Sequence, residues 1–229
     1  MPSITVENYL KTLYLAQQQA DGPLVPIGRL ADAMRVVPGT ATSMVKTLEE
    51  AGLVDYRPRE GVRLTGPGEK LALHVLRRHR LVELFLVEVL GLDWSEVHDE
   101  AEELEHAISD KVMERIDAYL GRPTADPHGD PIPTAKGTVA SRSLETLAEA
   151  MIGQAYQIAQ VANQDPQFLR FMEAKGLTPV ATLVVTERDA AADSVTLQRG
   201  DAAPMTIGTA AARMILVTRD RGGREATGA

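Results

Sequence analysis

One run, His98-Asp99-Glu100-Ala101-Glu102-Glu103-Leu104-Glu105-His106, limits what this chain can fold into more than any other. Wound as a helix, it places His98, Glu102, Glu105 and His106 at i, i+4, i+7 and i+8, one stripe along one face. A core helix fills such a stripe with Leu or Val. Upstream, His79 and Glu83 stand one helical turn apart. Two helices that each present His and Glu at this spacing can converge on a divalent metal ion. The donors are nitrogen and oxygen with no thiolate, since the chain has no cysteine. That set suits manganese, ferrous iron, cobalt or zinc. The plainer reading is a solvated acidic face, to which Asp99, Glu100 and Glu103 belong. His74 and His128 fit no such spacing and read as surface or locally bonded histidines.

The missing cysteines also exclude a disulfide framework and a thiol nucleophile. No apolar run approaches the roughly 18 residues of a membrane span. The N-terminal residues lack a basic segment leading into an apolar one. A cytoplasmic protein with no membrane partner is the expectation. The net charge of −8 argues at first against a nucleic acid. Its distribution decides otherwise: residues 1–75 balance 8 basic against 8 acidic side chains, whereas residues 76–120 set 5 basic against 12 acidic. The acidity lies with the His/Glu stripe, and the N-terminal segment is free to meet a polyanion.

Along the chain, residues 4–20 carry apolar side chains at helical spacing, and Asp21-Gly22-Pro23 ends that helix. Residues 27–34 form a short amphipathic helix. Pro38 opens a third helix at the position proline favours, and Gly52 suits its C-terminal cap. Residues 53–57 and 61–65 read as a hairpin. This order is that of a winged helix-turn-helix. Gly39, Thr40, Thr42, Ser43, Lys46 and Thr47 give the third helix a small, polar surface able to approach bases and phosphates. Arg57, Arg59 and Arg63 on the hairpin suit backbone phosphate. Residues 68–90 predict a long helix, and 95–120 another with a second, apolar stripe of Ala101, Leu104, Ile108 and Val112. That stripe suits a dimer contact. The Pro-rich stretch 122–133 marks a boundary. Beyond it, strands near 154–162, 180–187, 193–198, 203–207 and 213–218, with a helix over 166–175, predict a small β domain. The tail after Asp220 is expected to fray.

These residues together resemble the diphtheria-toxin-repressor and manganese-transport-regulator family of metal-dependent transcription factors. The resemblance rests on Glu7-Asn8-Tyr9-Leu10-Lys11-Thr12-Leu13-Tyr14, the Thr40 to Leu53 helix, Arg78-His79-Arg80-Leu81-Val82-Glu83, Val97 to His106, and Pro127 to Pro133. It implies a mainly α chain with a small β domain. The expected parts are a winged helix-turn-helix over 1–72, a helical metal-binding and dimerisation domain over 73–140, and an SH3-like (FeoA-like) β-barrel over 150–220. It also implies two metal sites. The ancillary site maps onto His79, Glu83 and His98, with Gln164 and Gln167 near the two ligands added by the SH3-like domain; Asp165 is a substitute for Gln164. The primary site maps onto Glu102, Glu105 and His106 with Asn8. Iron-type members have Cys at Glu102 and Met at Asn8; manganese-type members have Glu and Asp. A carboxylate at Glu102 therefore favours Mn2+ over Fe2+, with Co2+, Zn2+ or Cd2+ able to substitute in vitro. Lys11 stands where the short manganese regulators have a ligand Glu, so their dinuclear arrangement is not implied.

The function expected is a metal-dependent repressor of metal-ion uptake genes, a homodimer on a palindromic double-stranded DNA operator. Without an ion the carboxylates should repel and leave the first helix loosely held. Two other classes were weighed. A metalloenzyme would need a nucleophile or substrate-positioning motif that the chain lacks, so no enzyme and no small-molecule substrate are expected. A metal buffer would leave the Thr40–Thr47 surface and the Arg-bearing hairpin unexplained.

Overall fold

The computed structural model describes residues 3–20 and 22–220. They fall into two compact units. The first takes the chain up to Val82 with Ala101–Arg122 and Ile132–Val139; the second takes Glu83–Glu100, Pro123–Pro131 and the chain from Ala140 onward.

In the first unit, α1 (Ile4–Gln18) begins at Ser3, whose hydroxyl accepts the Val6 N–H. α2 (Ile27–Ala33) and α3 (Pro38–Glu50) follow. Pro38 sits in the first turn of α3, where its missing N–H costs nothing. At the other end, Gly52 N–H bonds Glu49 O and Leu53 N–H bonds Leu48 O, with Gly52 at φ +72°. This is a Schellman closure, and it needs a residue that tolerates positive φ. β1 (Val54–Arg57) and β2 (Gly61–Leu64) pair antiparallel, and Val25 bridges to Val62 on the far side of β2. Leu10, Leu13, Leu30, Val45, Leu48 and Val62 form the core beneath, all essentially inaccessible to solvent. The order predicted for a winged helix-turn-helix is therefore the order observed.

α4 (Gly66–Glu88) is the long helix predicted over 68–90. The helix expected over 95–120 is instead two: α5 (Val97–Leu104) and α6 (Asp110–Tyr119). Glu105 N–H still bonds Ala101 O in helical register, but Ala107 N–H reaches back only to Leu104 O. The turn then tightens, and Ser109 starts α6 by accepting the Val112 N–H. Periodicity carries across this break because the cap, not the apolar pattern, ends the helix. Leu104 and Val112 remain exposed, as does Tyr119.

The second unit is built on a six-stranded antiparallel sheet. Its strands are β3 (Glu145–Thr146), β4 (Ala155–Val161), β5 (Thr182–Asp189), β6 (Ser194–Gln198), β7 (Met205–Gly208) and β8 (Ile215–Arg219), in the order β3-β8-β4-β5-β6-β7. α7 (Pro166–Ala174) follows β4, and α8 (Thr209–Arg213) links β7 to β8. The five predicted strands are present; β3 and α8 were not predicted, being too short to show a period. The alternation in β4 and β6 buries Tyr156, Ile158, Val195 and Leu197 with Leu169 and Met172 of α7. The expected fraying of the tail falls on residues outside those described. Among the described residues, no helix is long and apolar enough to cross a membrane.

The Pro-rich stretch at 122–133 is irregular, as expected, but it is no loose linker. Asp126 Oδ1 accepts from the N–H groups of His128 and Asp130, and Ala125 bridges to Pro131. Gly129 is pressed on β4: a Cβ there would meet Ala159 O at 2.1 Å, and φ is +87°. Gly129→Ala is expected to cost about 2 kcal/mol or more from the backbone strain, lowering the thermal midpoint by roughly 4–8 °C. Differential scanning calorimetry checks this; an unchanged midpoint would show that the loop is not held against β4.

Candidate metal centre

In the first unit, three elements bring their polar residues to one buried carboxylate. Glu105 lies in the turn after α5, and its side chain is 0% exposed. His79 Nδ1, from α4, is 2.6 Å from Glu105 Oε2 and 3.8 Å from Glu102 Oε1. Lys11 Nζ, from α1, donates to Glu102 Oε1 at 2.6 Å and Glu105 Oε1 at 2.7 Å. His106 Nε2 lies 2.8 Å from Asn8 Oδ1 and 3.2 Å from Glu105 Oε1, while its Nδ1 lies 2.6 Å from Glu7 Oε2. Asn8 and His106 thus meet beside Glu105, and Glu102 reaches Glu105 through Lys11. His79, Glu102 and Glu105 each offer one donor atom within 4.8 Å of the others. The Lys11 ammonium lies against both the Glu102 and Glu105 carboxylates and links α1 to α5 and the turn after it.

The break in the predicted helix is what makes this geometry. Glu105 and His106 sit where the chain leaves α5, so they are not bound to a helical face. Arg78 holds that turn. Its guanidinium, on α4, donates to Glu105 O at 2.8 Å, to Asp110 Oδ1 at 2.6 Å and to Ile108 O. The two carbonyls lie where the end of α5 leaves them without helical partners, and the Asp110 carboxylate adds a charge-assisted contact at the start of α6.

In the second unit, Glu83 of α4 is 1% exposed and is the centre of another set. Its Oε1 is 3.3 Å from His98 Nδ1, and its Oε2 is 3.9 Å from His128 Nδ1. Glu83, Asp126 and His128, all buried, offer donor atoms within 4.8 Å of one another. His79 stands one turn before Glu83 on α4. His128, predicted to be a surface or locally bonded residue, is 1% exposed; its Nε2 is 2.9 Å from Trp94 O and its ring stacks on the indole. His74, by contrast, is exposed. Gln164 donates to Asp130 Oδ2 at 2.9 Å. Gln167 uses its backbone N–H on Asp165 Oδ1, and Asp165 is the N-cap of α7, a role that occupies the carboxylate offered as a substitute ligand. Sequence reasoning missed Asp126 and His128 as candidate donors. The spacing Asp-x-His in a turn was the available signal, but the surrounding prolines read as a boundary.

On α3, Thr40, Ser43, Lys46 and Thr47 are exposed, as is Gly39. Thr42 and Thr47 turn their hydroxyls back to Pro38 O and Ser43 O. On the hairpin, Arg57 and Arg59 are exposed, and Arg57 lies 3.5 Å from Glu60. Arg63 is engaged twice by the cross-strand Asp55, at 2.9 and 2.7 Å.

Three family models match the chain. "Iron dependent repressor, N-terminal DNA binding domain" covers residues 1–62, "Iron dependent repressor, metal binding and dimerisation domain" covers 65–134, and "FeoA domain" covers 145–219. The iron-dependent repressor IdeR of Mycobacterium tuberculosis (strain ATCC 25618 / H37Rv) is 39% identical over 180 residues, 79% of this chain and 70% of the relative. The chain belongs to the iron-dependent repressor family. Among solved members, a manganese-dependent transcriptional repressor in complex with manganese is 41% identical, covers 93% of this chain and 99% of its own, and gives a TM-score of 0.83. ScaR with bound Zn2+ is 34% identical, covers 96% of this chain and 100% of its own, and gives 0.75. The family's members are metal-dependent DNA-binding repressors. The metal-binding match ends at residue 134, so it takes in Arg78 as well as Glu83, Asp126 and His128.

Arg78→Lys keeps the charge but loses the planar fork that reaches three acceptors. It is expected to cost about 2–3 kcal/mol through buried carbonyls left without donors, and to weaken divalent-metal binding because the turn carrying Glu105 and His106 loosens. Thermal unfolding in chelator and a metal titration check the two effects separately.

Proposed function

We propose that this chain is a manganese-dependent transcriptional repressor of metal-ion uptake genes. It acts in the cytoplasm as a homodimer on a palindromic DNA operator, as a binding protein rather than an enzyme. The observation that carries this reading is the Glu102–Glu105–His106–Asn8 cluster, three oxygen donors and one imidazole joining α1 to the turn after α5. Those residues would hold the ion; bound there, it supplies two positive charges to a site rich in carboxylate. Asn8 contributes a neutral oxygen and Glu102 a carboxylate in place of the thiolate of iron-type members, which favours a harder ion. Glu83 and His98, with His79 one turn away, are the donors proposed for a second ion. Asp126 and His128 supply further donors on the same carboxylate, and Gln164 supports them through Asp130.

The route to DNA runs through α1. Tyr9, Leu10 and Leu13 pack in the core with Val45 and Leu48 of α3, so fixing α1 fixes α3 within its unit. Thr40, Ser43, Lys46 and Thr47 of α3, with Gly39 and Thr42, are the proposed DNA-facing residues, and Arg57 and Arg59 the phosphate contacts. Arg63 reaches phosphate by giving up Asp55. The exposed Leu104, Val112 and Tyr119 support a dimer surface. Dimerisation sets two recognition helices at half-site spacing. Metal and DNA then strengthen each other's binding by the same factor.

The test is operator binding by fluorescence anisotropy with Mn2+ and with chelator, using DNA recovered by selection from a random pool. Mn2+ is expected to tighten binding at least about tenfold, near the lower end of the usual coupling range, and Glu105→Ala to remove that gain. Equal binding in all arms would overturn the proposal. The manganese reading has its own check: Glu102→Cys is expected to move selectivity toward Zn2+ and Co2+ at the expense of Mn2+ in competitive titrations. An iron-dependent regulator of the same family is the alternative, supported if Fe2+ under anaerobic conditions outperforms Mn2+ in wild type.

A further inference from the structure

Lys11 occupies a position that no role in coordination explains. An ammonium has three donors and no lone pair, so it cannot be a ligand. Yet its Nζ lies 2.6 Å from Glu102 Oε1 and 2.7 Å from Glu105 Oε1, the shortest class of charge-assisted contact. Its side chain is 6% exposed and that of Glu105 0%. The Glu102 side chain is 32% exposed, so screening by water and salt is weak at Glu105 and partial at Glu102. An ion held by Glu102 and Glu105 would draw on the same pair of carboxylates. The ion and the ammonium would compete for those oxygens, since like charges at close distance repel.

We propose that Lys11 is a tethered counter-cation: its ammonium must leave Glu102 and Glu105 before an ion binds there, and the cost of that exchange sets the metal concentration at which the protein responds. This rests on the reading of Glu102 and Glu105 as ligands. Lys11 lies one turn from Asn8 on α1, and Glu7 and Asn8 already meet His106. The exchange therefore releases the tie at residue 11 while the contacts at residues 7 and 8 keep α1 on the turn. The opposite role, a lysine that merely holds the carboxylates ready for an ion, predicts the opposite sign on removal.

The experiment is Mn2+ titration by calorimetry on metal-stripped wild type, Lys11→Met, Lys11→Gln and Glu105→Gln, with thermal midpoints recorded in chelator. Both neutral variants are expected to bind Mn2+ at least about tenfold more tightly than wild type and to melt lower in chelator, since the carboxylates lose their counter-charge. Glu105→Gln is expected to remove the binding. Equal or weaker binding by both Lys11 variants, with Glu105→Gln still abolishing it, overturns the counter-cation role and leaves the ligand assignment standing. Binding unaffected by Glu105→Gln overturns the ligand assignment and this proposal with it. If the Lys11 variants do not fold, wild type alone decides through amine acetylation read by mass spectrometry. Labelling of Lys11 that rises with Mn2+ supports displacement, and labelling unchanged at saturation overturns it.

Discussion

Glu105 carries a carboxylate that water does not reach. An ion in that position costs several kcal/mol unless neighbours replace its hydration. They come from three places: His79 on α4, Lys11 on α1 and the adjacent His106. No one element could satisfy the group alone. The requirement to solvate Glu105 thus binds the first helix of the winged helix-turn-helix to the middle of α4 and to the turn after α5. Arg78 closes the arrangement from behind by taking the carbonyl of the same residue. The burial of one acid thus makes the polar cluster mechanically continuous with α1 and, through the core contacts of α1, with α3.

The parts of the fold that were legible in the sequence are those governed by local rules. Pro38 and Gly52 bracket α3 because each satisfies a backbone condition at a helix end. The hairpin and the strands of the β domain follow from alternation over four or more residues. The break between α5 and α6 was not legible. Apolar spacing continues through it, and it is fixed by the Ser109 cap and by Arg78, distant in sequence, drawing three acceptors out of a helical path. The loop at 123–131 misled for a related reason. Prolines forbid regular structure but say nothing about burial, and Asp126 organises that loop through its side chain.

The candidate site divides the same way. Spacing identified His79, Glu83, His98, Glu102, Glu105 and His106, since these lie on few elements and repeat at helical intervals. It could not say which of them meet. His79, assigned by resemblance beside Glu83 and His98, is grouped with them and also places its Nδ1 against Glu105. His128 had no spacing partner because its neighbours in space, Trp94 and Glu83, are far away in the chain. Lys11 could be noted only as a departure from a family pattern. Its partners lie 91 and 94 residues away, beyond anything a local pattern can encode.

Charge accounting around the Glu102–Glu105 pair explains why such a lysine is compatible with sensing rather than with tight storage. A fully buried carboxylate beside a part-exposed one, with only neutral partners, would attract a divalent ion strongly. An internal cation offsets part of that attraction in advance. It also gives both acids a counter-charge of the protein's own. Response then depends on the difference between two occupied arrangements rather than on the formation of a site from a disordered one. A difference of that kind can be adjusted by one side chain without touching a ligand, and Lys11 is the side chain that stands in the position to do it.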